Sequence, residues 1–240
     1  MADIEKGGIM KKFHHNWKDD YQNDCYCSED DRCGCSYNEY GTDKEHTRHR
    51  EAVKVGGQAV NFVASAVLGD GSTTDTFNLF DYIADSYALL VFYLADFSAV
   101  CPQELTAFNQ TFEEFHKRGV KVVAISVDSL PAHVAWRQLP FSENGIGNVR
   151  FPLISDVSKN ACRLYGVLRP DGLAQRATFL IDKNYTIRYQ AVYDRRIARD
   201  VEETLRVVDE LMMLDKTDCK GMACWGRKTS SIYTTGVPQE

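Results

Sequence analysis

Two apolar runs of strand length, each followed by a helical pattern, constrain this chain most. "SYALLVFYL" at 86–94 and "VKVVAISV" at 120–127 contain almost only apolar residues. Short continuous apolar runs are typical of strands that are buried on both faces. Between them Leu105, Phe108, Phe112 and Phe115 recur at helical spacing, and Gly119 ends the pattern. This order predicts two buried strands joined by an amphipathic helix.

The remaining central residues continue the alternation. Further strands are predicted at 151–156 and in a hairpin over 177–194 that turns at Lys183-Asn184. Helices are predicted at 129–139, with Ser129 as the N-cap, at 157–167 and at 199–214. The order β-α-β-α-β-α-β-β-α predicts an α/β fold with a central mixed sheet flanked by helices.

Composition divides the chain into three parts. Residues 1–52 are polar, hold four cysteines and sustain no helical or strand period. Residues 53–215 carry the α/β pattern, and residues 216–240 form a polar tail with two cysteines. We therefore expect one folded domain with an N-terminal extension and a C-terminal tail.

Charge and hydropathy exclude two classes of partner. The net charge of −6 argues against a nucleic-acid groove, which needs clustered Lys and Arg. The longest apolar run, at 88–95, is too short to cross a bilayer, and the start lacks the apolar segment of a signal peptide. We expect a cytoplasmic protein, in which the eight cysteines serve as thiols, metal ligands or catalytic groups rather than structural disulfides.

Cys101 lies where a buried strand has ended and a helix begins. Unpaired N–H groups and the helix dipole favour a thiolate there, and a nearby cation would favour it further. The position three residues later is Glu104 rather than a second cysteine, which disfavours simple disulfide exchange. A thiolate without such a partner suits attack on an oxygen electrophile, giving a sulfenic acid. The alternative is a buried inert thiol, which we expect for Cys162.

Three separated motifs now identify a family resemblance. "FYLADFSAVCPQE" at 92–104, "AHVAWRQLPFSENGIGNVRFPLISD" at 132–156 and "GLAQRATFLID" at 172–182 occur in the order seen in typical 2-Cys peroxiredoxins. The chain resembles the alkyl hydroperoxide reductase C type over roughly residues 53–215. The resemblance implies a thioredoxin-like fold, cofactor-free peroxide reduction, and homodimers that can associate into rings such as decamers. It also implies a protein reductant, either thioredoxin or a flavoprotein reductase.

The resemblance assigns catalytic roles to four residues. Cys101 would be the peroxidatic nucleophile, and Ser98 would hydrogen-bond its thiolate and the peroxide. Arg176 would keep the thiolate ionised and polarise the O–O bond, and Glu104 would orient that arginine. A guanidinium suits this role because it is always charged and presents a planar fork of donors.

The chain departs from the family pattern in two motifs and in its tail. Leu94 replaces the motif proline, and Asn144-Gly-Ile-Gly147 stands where the family often has Gly-Gly-Leu-Gly. The tail reads "DCKGMACWGRKTS" where the family places its resolving cysteine in "VCPAxW". Cys224, which precedes Trp225, is the predicted resolving cysteine, and Cys219 is the alternative.

The N-terminal extension contains two Cys-x-Cys units in "DCYCSEDDRCGCSYN". Cys25, Cys27, Cys33 and Cys35 are numerous enough to form a tetrahedral all-thiolate zinc site. Their spacing differs from the common Cys-x-x-Cys knuckle. A disordered or disulfide-paired arm is therefore the alternative.

Three classes of function fit the sequence. A thiol-dependent peroxidase agrees with Cys101, Ser98 and Arg176. A peroxide or metal sensor would use the same domain as a receptor and the N-terminal cysteines as its output. A holdase-like assembly protein would use the scaffold without turnover. Steady peroxide consumption with a reductant separates the first class from the other two.

Overall fold

The computed structural model describes residues 52–217. The N-terminal cysteines Cys25, Cys27, Cys33 and Cys35, as well as Cys219 and Cys224 in the tail, lie outside the described residues. No helix among residues 52–217 is long and apolar enough to cross a membrane.

In the described part of the chain, seven strands form one mixed sheet in the order β2-β1-β5-β4-β3-β6-β7. The strands are β1 (Val63–Val67), β2 (Thr73–Asn78), β3 (Tyr87–Phe92), β4 (Val120–Ser126), β5 (Leu153–Ser155), β6 (Ala177–Ile181) and β7 (Ile187–Val192). β3, β4 and β5 run parallel, whereas the other neighbours pair antiparallel. The mixed sheet confirms the predicted fold class.

Six helices accompany the sheet within residues 52–217. They are α1 (Leu79–Ile83), α2 (Cys101–Gln110), α3 (Phe112–Lys117), α4 (Leu130–Gln138), α5 (Asn160–Leu164) and α6 (Val201–Thr217), and a 3-10 turn spans Phe141–Glu143. Ser129 caps α4 as predicted, because its side chain accepts a hydrogen bond from the Ala132 N–H.

Alternation along β3 divides the core into two layers. Leu90 and Phe92 face one cluster, which also contains residues of α1 and α5. Leu89 and Val91 face the other, which contains residues of α2, α4 and α6. Both faces of β3 are buried, which explains why its sequence is continuously apolar rather than alternating.

The sequence reading missed β1, β2 and α1, and it merged α2 with α3. "TTDTFN" in β2 is largely polar, and its exposed edge position explains why it lacks a buried-strand signature. The hydroxyl of Thr111 bonds the Ala107 carbonyl at 2.9 Å, at the junction of the two helices. The predicted helix at 199–214 begins at Val201.

Candidate active site

The sheet brings three chain segments to one edge. β3 ends at Phe92, which pairs with Ala177 at the start of β6, and Ala177 pairs with Val192 at the end of β7. The loop after β3, the residue before β6 and the loop after β7 therefore lie together. The loop after β3 leads into Cys101, Arg176 directly precedes β6, and the loop after β7 carries Arg199.

Cys101 is the first residue of α2, and it is fully buried. Its backbone N–H donates to the Ser98 hydroxyl oxygen at 3.4 Å. Because the first N–H groups of a helix have no partner within the helix, this bond satisfies one of them. The same bond places the Ser98 hydroxyl against the Cys101 backbone.

The loop before Cys101 is held from a distant segment. Phe97 adopts φ +56°, a left-handed conformation that is strained for an aromatic residue. Its carbonyl accepts a hydrogen bond of 2.9 Å from the side-chain amide of Asn144, which is itself left-handed. The Asn144 carbonyl in turn accepts from the Trp136 indole at 2.8 Å. The first residue of the Asn-Gly-Ile-Gly segment thus restrains the loop that carries Ser98.

A buried cluster of one carboxylate and two guanidinium groups lies next to the Cys101 thiol. Glu104 forms an ion pair with Arg176, and both side chains are almost fully buried. Its other oxygen contacts Arg199, whose Nε lies 3.3 Å away and whose backbone N–H donates at 2.8 Å. Arg199 also donates to the carbonyls of Phe92 and Ala177, at 2.8 and 3.0 Å. Glu104 therefore joins the helix of Cys101 to both arginines.

Both arginines of this cluster interact electrostatically with Cys101. Burial lowers the pKa of Arg176 below its usual value, and the charge of the Cys101 thiolate opposes that shift, as does its hydrogen bond. Burial likewise lowers the pKa of Arg199 to about 10, again opposed by Cys101. Both guanidinium groups stay protonated at neutral pH. With two guanidinium groups and one carboxylate, the buried cluster beside Cys101 carries a net positive charge.

A second buried network supports the same loop. The Tyr93 hydroxyl donates to Asp96 at 2.8 Å, and His133 Nδ1 lies 2.7 Å from the other Asp96 oxygen. Burial raises the pKa of Asp96, although His133 opposes the shift. The Asp96 N–H also donates to Asp128 at 2.9 Å. These bonds join the loop to α4 and to the segment after β4.

A cavity of about 240 Å³ lies beside Arg176, a member of the cluster of Glu104 and two arginines. Its lining residues are Leu94, Ser98, Ala99, Val100, Arg176, Arg195 and Arg196. Leu94 thus occupies the wall of the cavity at the position of the family's motif proline. The cavity is small and open to solvent on the side of Arg195 and Arg196, both of which are exposed.

The structure brings Cys101, Ser98, Arg176 and Glu104 together. Sequence reasoning missed Arg199 and the tether from Asn144. The burial of Glu104 requires more than one cationic or N–H partner, but the sequence does not identify Arg199 as one of them. Among residues 52–217, no group of three or more His, Cys, Asp or Glu side chains could hold a metal ion.

Comparison with known proteins agrees with this geometry. Residues 55–190 match the model of the AhpC/TSA family. The chain is 42% identical over 161 residues to alkyl hydroperoxide reductase C of Buchnera aphidicola, covering 66% of this chain and 81% of that protein. The chain belongs to the AhpC/TSA family.

Two further peroxiredoxins are similar in sequence or structure. A chloroplastic 2-Cys peroxiredoxin of Hordeum vulgare is 40% identical over 172 residues, covering 71% of this chain and 81% of its own. The reduced 2-Cys peroxiredoxin of Plasmodium vivax superposes with a TM-score of 0.68 at 38% identity, covering 72% of this chain and 90% of that one. The chain therefore has the thioredoxin-like peroxiredoxin fold and is a thiol-dependent peroxidase.

Proposed function

We propose that this peroxiredoxin reduces hydrogen peroxide and organic hydroperoxides with Cys101 as the attacking thiol. The observation that carries the proposal is the position of Cys101, buried at the start of α2 and facing the Arg176 guanidinium. Helix N–H groups and two buried cations favour the thiolate, the form of cysteine that attacks peroxides.

The proposed first step transfers one oxygen atom. The thiolate sulfur attacks the terminal peroxide oxygen, so that an S–O bond forms while the O–O bond breaks. The departing oxygen takes up a proton and leaves as water or an alcohol, and Cys101 becomes a sulfenic acid. Arg176 stabilises the negative charge on the departing oxygen. Ser98 hydrogen-bonds the reacting oxygen, and Glu104 with Arg199 positions Arg176. The step needs no cofactor.

The proposed second step uses a cysteine of the tail. Cys224 of the partner subunit attacks the sulfenic acid, water leaves, and an intersubunit disulfide forms. Oxidised protein should then migrate as a dimer on non-reducing gels, and Cys224→Ser should remove that band. The matched variant Cys219→Ser should retain it. The reverse pattern would assign resolution to Cys219.

We further propose that the working unit is a homodimer and that dimers associate into rings. The edge position of β7 supports pairing with a second copy, because edge strands expose unpaired N–H and C=O groups. A structure of a related Plasmodium yoelii peroxiredoxin with a modified N-terminus is an artifactual octamer. Light scattering at several concentrations would measure the assembly, and a monomer throughout would contradict it.

The disulfide must then be reduced by a partner, either thioredoxin or a flavoprotein reductase. A cytoplasmic location suits such an exchange, because cytoplasmic reductants keep thiols reduced. Turnover with each purified reductant and NADPH distinguishes the two partners. Cell fractionation tests the location, since the Hordeum vulgare relative is chloroplastic.

For the N-terminal extension we propose one structural zinc held by Cys25, Cys27, Cys33 and Cys35. Four thiolates within eleven residues support a tetrahedral site, and zinc would offset the charge of the neighbouring Glu29, Asp30 and Asp31. Metal analysis of reduced protein purified without chelator should give one zinc per chain. A substoichiometric trace with all four thiols free would contradict the site.

The peroxidase proposal is tested by steady-state peroxide consumption with a protein reductant. Wild-type protein should turn over many equivalents of hydrogen peroxide. Oxidation that stops after one equivalent, with reductant present, would instead indicate a sensor.

A further inference from the structure

The mouth of the cavity beside Cys101 is strongly basic, although the whole chain is acidic. Arg195 and Arg196 line it together with Arg176, and no carboxylate is among its seven described lining residues. The net charge of the chain is −6. A local excess of cations at a reaction cavity attracts anions and raises their local concentration.

The turn that carries these two arginines is anchored to the catalytic cluster. The Arg195 carbonyl accepts from Arg176 at 3.1 Å, and the Tyr193 N–H donates to the Arg176 carbonyl at 2.9 Å. At the other end of the turn, the Arg199 N–H donates to Glu104 at 2.8 Å. The mouth arginines are therefore held at a fixed place relative to Arg176.

The two guanidinium groups differ in how far they are neutralised. Arg196 Nε lies 3.2 Å from Asp194, and the Arg196 N–H donates to the same carboxylate oxygen at 2.9 Å. The Arg195 side chain has no hydrogen bond or ion pair with any other residue in 52–217. Asp194 can offset only one of two exposed positive charges. At least one guanidinium at the mouth is available to a ligand.

We propose that Arg195 and Arg196 select small hydroperoxides that carry a carboxylate. The peroxide group would enter toward Ser98, Arg176 and Cys101, while the carboxylate would stay at the mouth and bind the guanidinium fork of Arg195, which matches two oxygens. A cavity of about 240 Å³ is smaller than the roughly 300–1,000 Å³ of pockets for drug-sized ligands, so the substrate is short. This inference rests on the peroxidase function proposed above.

The test compares a negatively charged substrate with its neutral ester, which is larger by one methyl group. They are 3-hydroperoxy-3-methylbutanoate and its neutral methyl ester. Oxidation of Cys101 is followed in a single turnover without reductant, so that docking of a reductant contributes nothing. The carboxylate should react about three- to tenfold faster than the ester at low salt. The ratio should fall toward one at high salt, where exposed charges are screened.

Variants of Arg195 and Arg196 test whether these two residues cause the preference for the carboxylate substrate. The double variant Arg195→Gln with Arg196→Gln should lower the carboxylate-to-ester ratio to about one, whereas Arg195→Lys with Arg196→Lys should retain part of it. Using the ratio within each variant cancels any general change in reactivity. Arg163→Gln removes the same charge from an exposed arginine of α5 that does not line the cavity, and it should leave the ratio unchanged.

Three outcomes would overturn the proposal. Equal rates for acid and ester in the wild type would show that the mouth does not select charge. A wild-type preference that survives in the double variant would assign selection to other residues. A double variant that forms the disulfide more slowly, with the substrate ratio unchanged, would show that the arginines bind the tail. If neither substrate nor hydrogen peroxide oxidises the wild type, the peroxidase function itself fails.

Discussion

Cys101 and Cys162 are both fully buried near the start of a helix, yet buried guanidinium groups lie beside the first and a buried carboxylate lies beside the second. The Cys101 N–H donates to the neutral hydroxyl of Ser98 at 3.4 Å, whereas the Cys162 N–H donates to the carboxylate of Asp156 at 2.8 Å. The Cys101 sulfur faces Arg176. Burial raises the pKa of Cys162, and the charge of Asp156 raises it further.

Burial and a position at a helix start are common to both thiols, so neither feature distinguishes Cys101 from Cys162. In α5, Asp156 accepts the N–H groups of both Ala161 and Cys162, so the helix N-terminus is already neutralised by an anion. In α2, the nearby carboxylate of Glu104 is occupied by Arg176 and Arg199. The two sites therefore differ in the buried charge nearest the thiol, which is cationic at Cys101 and a carboxylate at Cys162.

The largest expected effect comes from replacing Cys101 and Cys162 with serine in two separate variants. Cys101→Ser should reduce peroxide consumption to the uncatalysed rate, because the nucleophile is lost. Cys162→Ser should keep turnover within about twofold of the wild type, since its sulfur takes no part. Both variants are assayed at equal folded fraction by circular dichroism. Turnover retained by Cys101→Ser would show that Cys101 is not the attacking thiol.

The next effect comes from the cations beside each thiol. Arg176→Ala should slow oxidation of Cys101 by about 10²–10³-fold, the usual cost of removing a donor that stabilises developing charge. Arg163→Ala removes the arginine next to Cys162 and should change the rate by less than about twofold. Rapid mixing with hydrogen peroxide measures both rates. Equal rates for Arg176→Ala and the wild type would contradict the role of the guanidinium.

Replacing the carboxylate beside each thiol should lower the free energy of unfolding. The loss should be larger at Glu104 than at Asp156. Glu104→Gln leaves two buried guanidinium groups without a counter-charge, so the free energy of unfolding should fall by about 3 kcal/mol. Asp156→Asn should cost about 1–2 kcal/mol, because the single amide oxygen retains only one of the two helix N–H bonds, which reach different carboxylate oxygens in the wild type. Urea denaturation of the reduced proteins compares the two losses. A larger loss for Asp156→Asn would contradict the assigned charges.

The smallest expected effect is a pH dependence of stability from Cys162. Its pKa is raised in the folded state, so the unfolded chain loses this proton first, above a pKa of about 8.5. The free energy of unfolding should therefore decrease with rising pH above that value, by up to about 1.4 kcal/mol per pH unit. Cys162→Ala should lack this contribution. Parallel slopes for the two proteins between pH 8 and pH 10 would show that the thiol titrates alike in both states.

The sequence predicted the elements that are continuously apolar or clearly amphipathic. β3 and β4 were predicted because burial on both faces demands apolar residues throughout. β1 and β2 were missed, because "VASAV" is short and "TTDTFN" has one buried residue. Their strand conformation depends on pairing with each other and with β5, which no local pattern encodes.

The residues of the candidate site also separate into those that the local sequence identified and one that only the fold reveals. Position at a strand end identified Cys101, and the family motifs added Ser98, Arg176 and Glu104. Arg199 could not be found locally, since it precedes a helix in a basic stretch that resembles a solvated loop. Only the sheet register places it against Glu104 and the Phe92 carbonyl. Long-range contacts of this kind are specified by the whole fold rather than by spacing.

The most direct measurement is peptide mass analysis of reduced protein after one equivalent of hydrogen peroxide, with a sulfenic-acid trap present. The account predicts that oxidation is confined to Cys101, as trapped sulfenic acid or as a disulfide to a tail cysteine, while Cys162 remains a thiol. Sulfenic acid at Cys162 with Cys101 unmodified would contradict the claim that the surrounding charge selects the reactive thiol.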